Sequence, residues 1–244
     1  MTVCEVRRLG LLPYREAWEL QKRLAAERAA GLIPDTLLLL EHPHTYTLGR
    51  SGHLENLLLN EEGRAERRVT VEWVDRGGDI TYHGPGQLVG YPILRLGRPV
   101  DGNGHIPQAD YVGYVRRIEE MLIRALAHFG LVSGQIPGLT GVWVQADVAS
   151  RCPHCPPHAR LAPSKIAAIG VKVDAKGISQ HGFALNVEPD MSYFDGIIPC
   201  GIEDHGVVSL ADLLLHPPTM AEVMDEVEAQ FKKVVLETCR VLPT

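Results

Sequence analysis

Cysteine is scarce. The chain has five in 244 residues, an odd number with no regular framework. That excludes a disulfide-stapled secreted scaffold and points to a reducing compartment. Long apolar runs are missing too. None approaches the roughly 20 residues that span a bilayer, and runs such as Leu37–Leu40 are strand-sized, so no membrane association is expected. The opening MTVCEVRRLG lacks the apolar core of a signal peptide, so the cytoplasm is the expected location. Positive charge is not in excess. Net charge is −6 and the Lys and Arg residues are spread along the chain, which argues against a nucleic-acid surface. There is no internal repeat and no long linker.

What is present is an ordinary globular composition. Hydrophobic residues make up 45%, enough for a sizeable core at this length. Ala17, Leu20 and Leu24 recur at helical spacing, which predicts a helix over Tyr14–Ala30 with Gly31 at its C′ position. TLLLLEH reads as a buried strand, GHLENLLLNEEGRAERR as a short helix and charged loop, and VTVEWVD as a strand. A second helix is expected over Pro107–Phe129, with Tyr111, Tyr114, Ile118, Met121, Leu122, Ala125 and Phe129 facing inward. GVWVQ, KIAAIGVKV and HGFALNV read as strands. Thr219 and Glu222 form a capping box for a last helix running to about Thr238. Strands and helices mix without strict βαβ alternation. The expected fold is therefore α+β, a mixed and largely antiparallel sheet with flanking helices, in a single domain over 1–244.

Several residues could carry chemistry. Cys4 and Cys239 read as small hydrophobes. Cys152 and Cys155 form C-x-x-C beside His154 and His158, the side-chain types that bind zinc. A structural zinc site usually draws a second ligand pair from a distant motif, and there is no second C-x-x-C. A plain Pro-, Cys- and His-rich loop over 148–164 competes with a metal site, and no metal is assigned. Cys200 differs because Pro199 and Gly201 frame it in a turn. A nucleophilic thiol needs a nearby cation or base, and His83, His181, His205 and several lysines are available; a passive cysteine is the other reading. Lys165 opens the strand KIAAIGVKV. Strict alternation puts it on one face with Ala167, Ile169, Val171 and Val173, and puts Lys172 on the other. It is either snorkelling at an apolar edge or a partly desolvated amine that exchanges protons near neutrality. RGGDITYHGPGQ is rich in glycine, which permits close backbone approach to a ligand; a tight turn between strands is the simpler reading, with His83 a hydrogen-bonded structural residue.

Four ordered segments, RGGDITYHGPGQLVGYPI (Arg76–Ile93), SKIAAIGVKV (Ser164–Val173), HGFALNV (His181–Val187) and IIPCGI (Ile197–Ile202), together resemble the lipoate-biosynthesis octanoyltransferases. The resemblance spans most of the chain. It implies the fold of the biotin and lipoate protein ligase catalytic domains. It implies that Cys200 is the acyl-thioester nucleophile and Lys165 its base partner. Arg76, Gly77, Gly78, Asp79, Ile80, Thr81, Tyr82 and His83 would line the acyl pocket, with Ala168, Ile169 and Gly170 and with Gly182, Phe183 and Ala184. Leu88, Val89, Ile93, Ile169 and Phe183 are candidate apolar walls. The implied donor is octanoyl-acyl carrier protein. The implied acceptors are lipoyl domains of 2-oxoacid dehydrogenases and the glycine cleavage H protein. No cofactor is implied. The RCPHCPPHAR loop departs from the family pattern, so a metal there has no family support. Two other functions remain open: an ATP-dependent lipoate or biotin ligase on the same fold, and a non-catalytic module binding acyl chains or acyl carrier protein.

Overall fold

The computed structural model describes residues 4–97, 110–149, 157–199 and 205–236. In chain order the strands are β1 (Cys4–Leu11), β2 (Asp35–Glu41), β3 (Thr45–Leu48), β4 (Thr70–Trp73), β5 (Ile80–His83), β6 (Gln87–Ile93), β7 (Gly134–Ile136), β8 (Leu139–Val144), β9 (Ser164–Val173), β10 (Ser179–Asn186) and β11 (Gly206–Val207). The α-helices are α1 (Tyr14–Ala29), α2 (Glu61–Glu66), α3 (Tyr111–His128), α4 (Ala146–Ala149), α5 (Leu210–Leu213) and α6 (Met220–Gln230). The larger sheet runs β1-β2-β6-β10-β9-β8-β7, with β11 alongside β9. Its pairs are antiparallel except β1 with β2 and β11 with β9. A smaller sheet runs β4-β3-β5. This is the mixed, largely antiparallel α+β architecture expected from the sequence.

The central strands are buried on both faces. In β2, Leu37 and Leu39 join the core under α3 and α6, while Leu38 and Leu40 join the core under α1. That is why TLLLL is a continuous apolar run rather than an alternating one. β6 divides the same way: Leu88 faces α3, and Val89, Tyr91 and Ile93 face α1. Thr219 and Glu222 do form a capping box, the threonine hydroxyl accepting from the Glu222 N–H at 3.3 Å and Glu222 Oε2 accepting from the Thr219 N–H at 2.8 Å. Beyond α6 the chain widens into a π-helical turn over Phe231–Leu236.

Some elements were not expected. β1, β3, β7 and β11 carry no strong alternation of their own, and β1 and β7 lie at the two sheet edges, where pairing rather than side-chain pattern defines a strand. On α3 the inward face includes Glu119, fully buried, and Leu126, while Tyr111 is only partly buried. The expected start of that helix at Pro107 lies outside the described residues. In the GRAERR segment, Arg64 donates to the Leu59 carbonyl at 2.9 Å and Arg67 to the Ser192 carbonyl at 2.9 Å, so both have a structural use.

Candidate active site

A cavity of about 280 Å³ lies between the middle of the larger sheet and β5 of the smaller one. Ala168, Ile169 and Gly170 of β9 and Gly182, Phe183 and Ala184 of β10 line it, with Lys165 at the start of β9. Arg76, Gly77, Gly78, Asp79, Thr81 and His83 line the facing side. Ile80 and Tyr82 do not. Alternation along β5 turns them away, into the small-sheet core with Tyr46 and Leu48. Of the expected apolar walls, Ile169 and Phe183 border the cavity but their side chains belong to the core under α3, as Leu88 does, and Val89 and Ile93 are buried in the core under α1. Tyr14, Tyr91, His181 and the turn Gly138–Thr140 complete the lining. Tyr14 and Tyr91 lie in elements whose periodicity explains them as core, so nothing in the sequence marked them as cavity residues.

Phe183 owes its place to Gly90, its partner in the β6–β10 register. The Phe183 ring lies directly over Gly90, and a Cβ there would collide with it. Gly90→Ala is therefore expected to displace the ring within the core under α3. Overpacking of this kind costs about 1–3 kcal/mol. Urea unfolding checks the stability loss.

The Gly-rich loop is tied down at several points. Gly77 N–H donates to the Val171 carbonyl on β9 at 3.0 Å. Asp79 accepts from the N–H groups of His53 (2.9 Å) and Ile80 (2.7 Å) and from Asn56 Nδ2 (2.5 Å). The Asn56 carbonyl in turn accepts from the Ile198 N–H at 2.8 Å. The chain up to Pro199 is thus anchored to the cavity loop, and Pro199 lines a small recess together with Lys165, Thr81 and Ala168. Cys200 lies outside the described residues, as do Cys152, His154, Cys155 and the His158 side chain.

The polar end of the cavity is organised by buried hydrogen bonds. Arg76 donates through Nη2 to the Thr47 carbonyl (2.6 Å) and hydroxyl (2.8 Å). His83 Nδ1 donates to Gln87 Oε1 at 2.8 Å, and Gln87 Nε2 donates to Asn186 Oδ1 at 2.9 Å. Burial pushes His83 well below the ordinary histidine value, so it stays neutral. His181 Nε2 donates to Asp75 Oδ1 at 2.8 Å, and Lys172 Nζ pairs with the other oxygen at 2.5 Å. The His181 hydrogen bond, with Lys172 behind it, holds the Asp75 carboxyl far below its usual range. His181 itself is lowered by burial, which outweighs the neighbouring carboxylate. Its backbone sits at φ +56, in the left-handed region uncommon outside glycine, with its N–H held by Gln21 Oε1 at 2.7 Å.

His42 sits behind these groups, donating through Nδ1 to the Leu12 carbonyl (2.6 Å) and accepting through Nε2 from the Tyr91 hydroxyl (2.8 Å). Burial lowers it from 6.5 to about 4. The unfolded chain therefore binds the extra proton first. The stability this neutral histidine contributes is complete above about pH 6.5 and is lost as pH falls toward 4, on the order of 3 kcal/mol. Urea midpoints across that window should fall steeply in the wild type and less steeply in His42→Asn.

The face assigned to Lys165 by strict alternation is corrected. β8 and β9 slip register at one point: Val142 faces Ala167, but Trp143 faces Lys165, leaving Ile166 as an extra residue. This bulge turns Ile166 into the α3-side core beside Ala167 and turns Lys165 into the cavity beside Ala168. Val171 and Val173 keep their core-facing side. Lys172 therefore shares Lys165's side of the sheet, toward Asp75 and His181, but it does not line the cavity. Lys172→Ala is expected to cost less than about 1 kcal/mol of stability, since the Asp75 pair is partly exposed, and to leave most activity. Thermal melting and steady-state rates would check this.

A model of the lipoyl protein ligase A/B catalytic domain matches residues 13–232, and the chain belongs to that family. Its similar relatives are octanoyltransferases. That of Chloroflexus aurantiacus is 46% identical over 234 residues, 96% of this chain and 95% of the relative. That of Rubrobacter xylanophilus is 47% identical over 233 residues, 95% and 93% of the two chains. Such likeness makes this chain an acyltransferase of the octanoyltransferase group. Among solved structures, a bipartite lipoate protein ligase from Thermoplasma acidophilum, studied with its E2 lipoyl domain, shares the fold with TM-score 0.68 at 16% identity, over 97% of this chain and 85% of that one. A lipoate-protein ligase A bound with ATP gives TM-score 0.61 at 14% identity, over 96% and 85%. No helix among the described residues is long and apolar enough to cross a membrane.

Proposed function

We propose that this chain acts as one catalytic domain in the cytoplasm and moves an octanoyl group from octanoyl-acyl carrier protein to a lysine of a lipoyl domain, through a thioester on Cys200. The acceptors are the lipoyl domains of 2-oxoacid dehydrogenases and the glycine cleavage H protein. The observation that carries this reading is Lys165, turned by the bulge into an apolar-walled cavity whose neighbouring recess is lined by Pro199, the residue before Cys200.

The chemistry follows from the groups present. The Cys200 thiol gives its proton to Lys165 Nζ, and sulfur attacks the donor thioester carbonyl, whose π pair moves to oxygen. Collapse expels the donor thiolate, which recovers the proton from Lys165. The acceptor amine, ordinarily near pKa 10.4 and protonated at neutrality, then needs its proton removed, and Lys165 serves again. Nitrogen attacks the acyl-enzyme, and the Cys200 thiolate leaves and is reprotonated. Thiol exchange is near neutral in energy and thioester to amide is downhill, so the sequence of steps consumes no nucleotide. Each buried methylene contributes about 0.8 kcal/mol, so the octanoyl tail contributes roughly 5 kcal/mol against the cavity's apolar lining. The test is transfer from octanoyl-acyl carrier protein to a lipoyl domain in nucleotide-free buffer. Transfer at full rate is expected. An absolute requirement for ATP would identify an adenylating ligase instead.

A further inference from the structure

Four features of the described structure converge on the Lys165 side chain without belonging to the cavity's acyl walls. Lys165 Nζ lies 4.7 Å from the centroid of the Trp143 ring, directly across the β8–β9 bulge. Trp143 is fully buried, and its indole N–H has no hydrogen-bond partner among the described residues. A buried tryptophan normally satisfies that N–H, so this ring is held by its faces and edge. One of those contacts is His205, edge-on at 5.2 Å. Two residues earlier, Gly141 has φ +126, and a Cβ there would press on the Ala167 carbonyl (2.7 Å) and on Lys165 Cε (3.3 Å). The lysine stem therefore runs through the space a side chain at 141 would take. From the other face of the sheet, buried Glu119 accepts the Gly141 N–H at 3.0 Å while Arg116 donates to its second oxygen at 2.6 Å.

We propose that Trp143 is a positioning residue for Lys165: its indole face holds the ammonium formed each time the lysine takes a proton, and Gly141, pinned by Glu119, keeps the stem aligned beneath it. This rests on the reading of Lys165 as the proton carrier. An ammonium over an aromatic face is attracted by the ring quadrupole, most strongly when desolvated. The other titratable or charged groups lining the same cavity are Arg76, Asp79, His83, His181, Tyr14 and Tyr91. Trp143 alone offers Lys165 an aromatic face among the ring contacts of the described residues.

The experiment uses the full chain with Trp18 and Trp73 replaced by phenylalanine, so that Trp143 is the only indole to label. Growth on mono-, di- and trifluorinated tryptophan drains the ring face with little change in volume. The expected result is a stepwise fall in kcat and a stepwise move of the acidic limb of the pH–rate profile toward lower pH, since a weaker ring stabilises the ammonium less. KM for the acyl donor should hardly change. In parallel, Trp143→Leu should lose roughly tenfold in kcat, and Trp143→Phe should recover most of it. An unmoved pH profile and constant kcat across the fluorinated series would overturn the proposal, even if Trp143→Leu does not fold. Lys165→Ala separates the two claims. If it is inactive while the fluorinated proteins match wild type, only the role of Trp143 is lost. If it keeps full activity, the proton-carrier reading falls and this proposal with it.

Discussion

Wild-type protein given octanoyl-acyl carrier protein and no acceptor is expected to gain the mass of one octanoyl group, on Cys200. Adding a lipoyl domain should clear that adduct, and the same octanoyl should appear on the acceptor lysine. Cys200→Ser should show neither adduct nor measurable transfer. The substitution keeps the shape but replaces a thiol that ionises near neutrality with a hydroxyl that does not, and Lys165 cannot make up that difference. Direct aminolysis within a ternary complex makes the opposite forecast: no adduct, and transfer only with both partners present. Intact-mass spectrometry over a chase distinguishes them. An adduct that never forms, or one that forms and cannot be passed on, would remove Cys200 from the mechanism.

Lys165→Ala is expected to reduce transfer by about 10²–10⁴-fold, the usual range for a lost general acid–base group. The fold should survive, because the side chain projects into the cavity and the core on that strand is built by Ile166 and Ala167. Both half-reactions should slow, since the same amine moves protons in each. Single-turnover measurement of adduct formation and of its discharge tests this directly. Normal acylation with slow discharge would limit Lys165 to activating the incoming amine. Small and equal losses from Lys165→Ala and Lys172→Ala would exclude it from both steps. The bulge makes this comparison sharper than sequence parity did: the two lysines share a side, so any difference reflects cavity position.

Much of this was legible in the residues. TLLLL, the Gly-rich run, the capping box at Thr219 and the strand KIAAIGVKV each carry a local physical signal: apolar continuity, backbone freedom, a side-chain cap, β-branched content. These signals fix elements because they act over a few neighbours. The inward stripe of α3 was legible for its apolar members but not for Glu119, whose burial makes sense only once Gly141 N–H is seen across the sheet. The edge strands were silent because their identity comes from pairing.

The sequence by itself determined the α+β class, the order of the main elements, the family resemblance, and the residue types available for acyl transfer. These follow from composition, periodicity and contiguous motifs. The tertiary structure alone decided which of those residues meet. It turned Ile80 and Tyr82 out of the cavity and brought Tyr14 and Tyr91 in. It reversed the face of Lys165 with one extra residue in β9, and set Trp143 across from it. The reason is physical. A strand's alternation holds only while its register holds, and register is set by hydrogen bonds to a neighbouring strand that a linear reading does not contain.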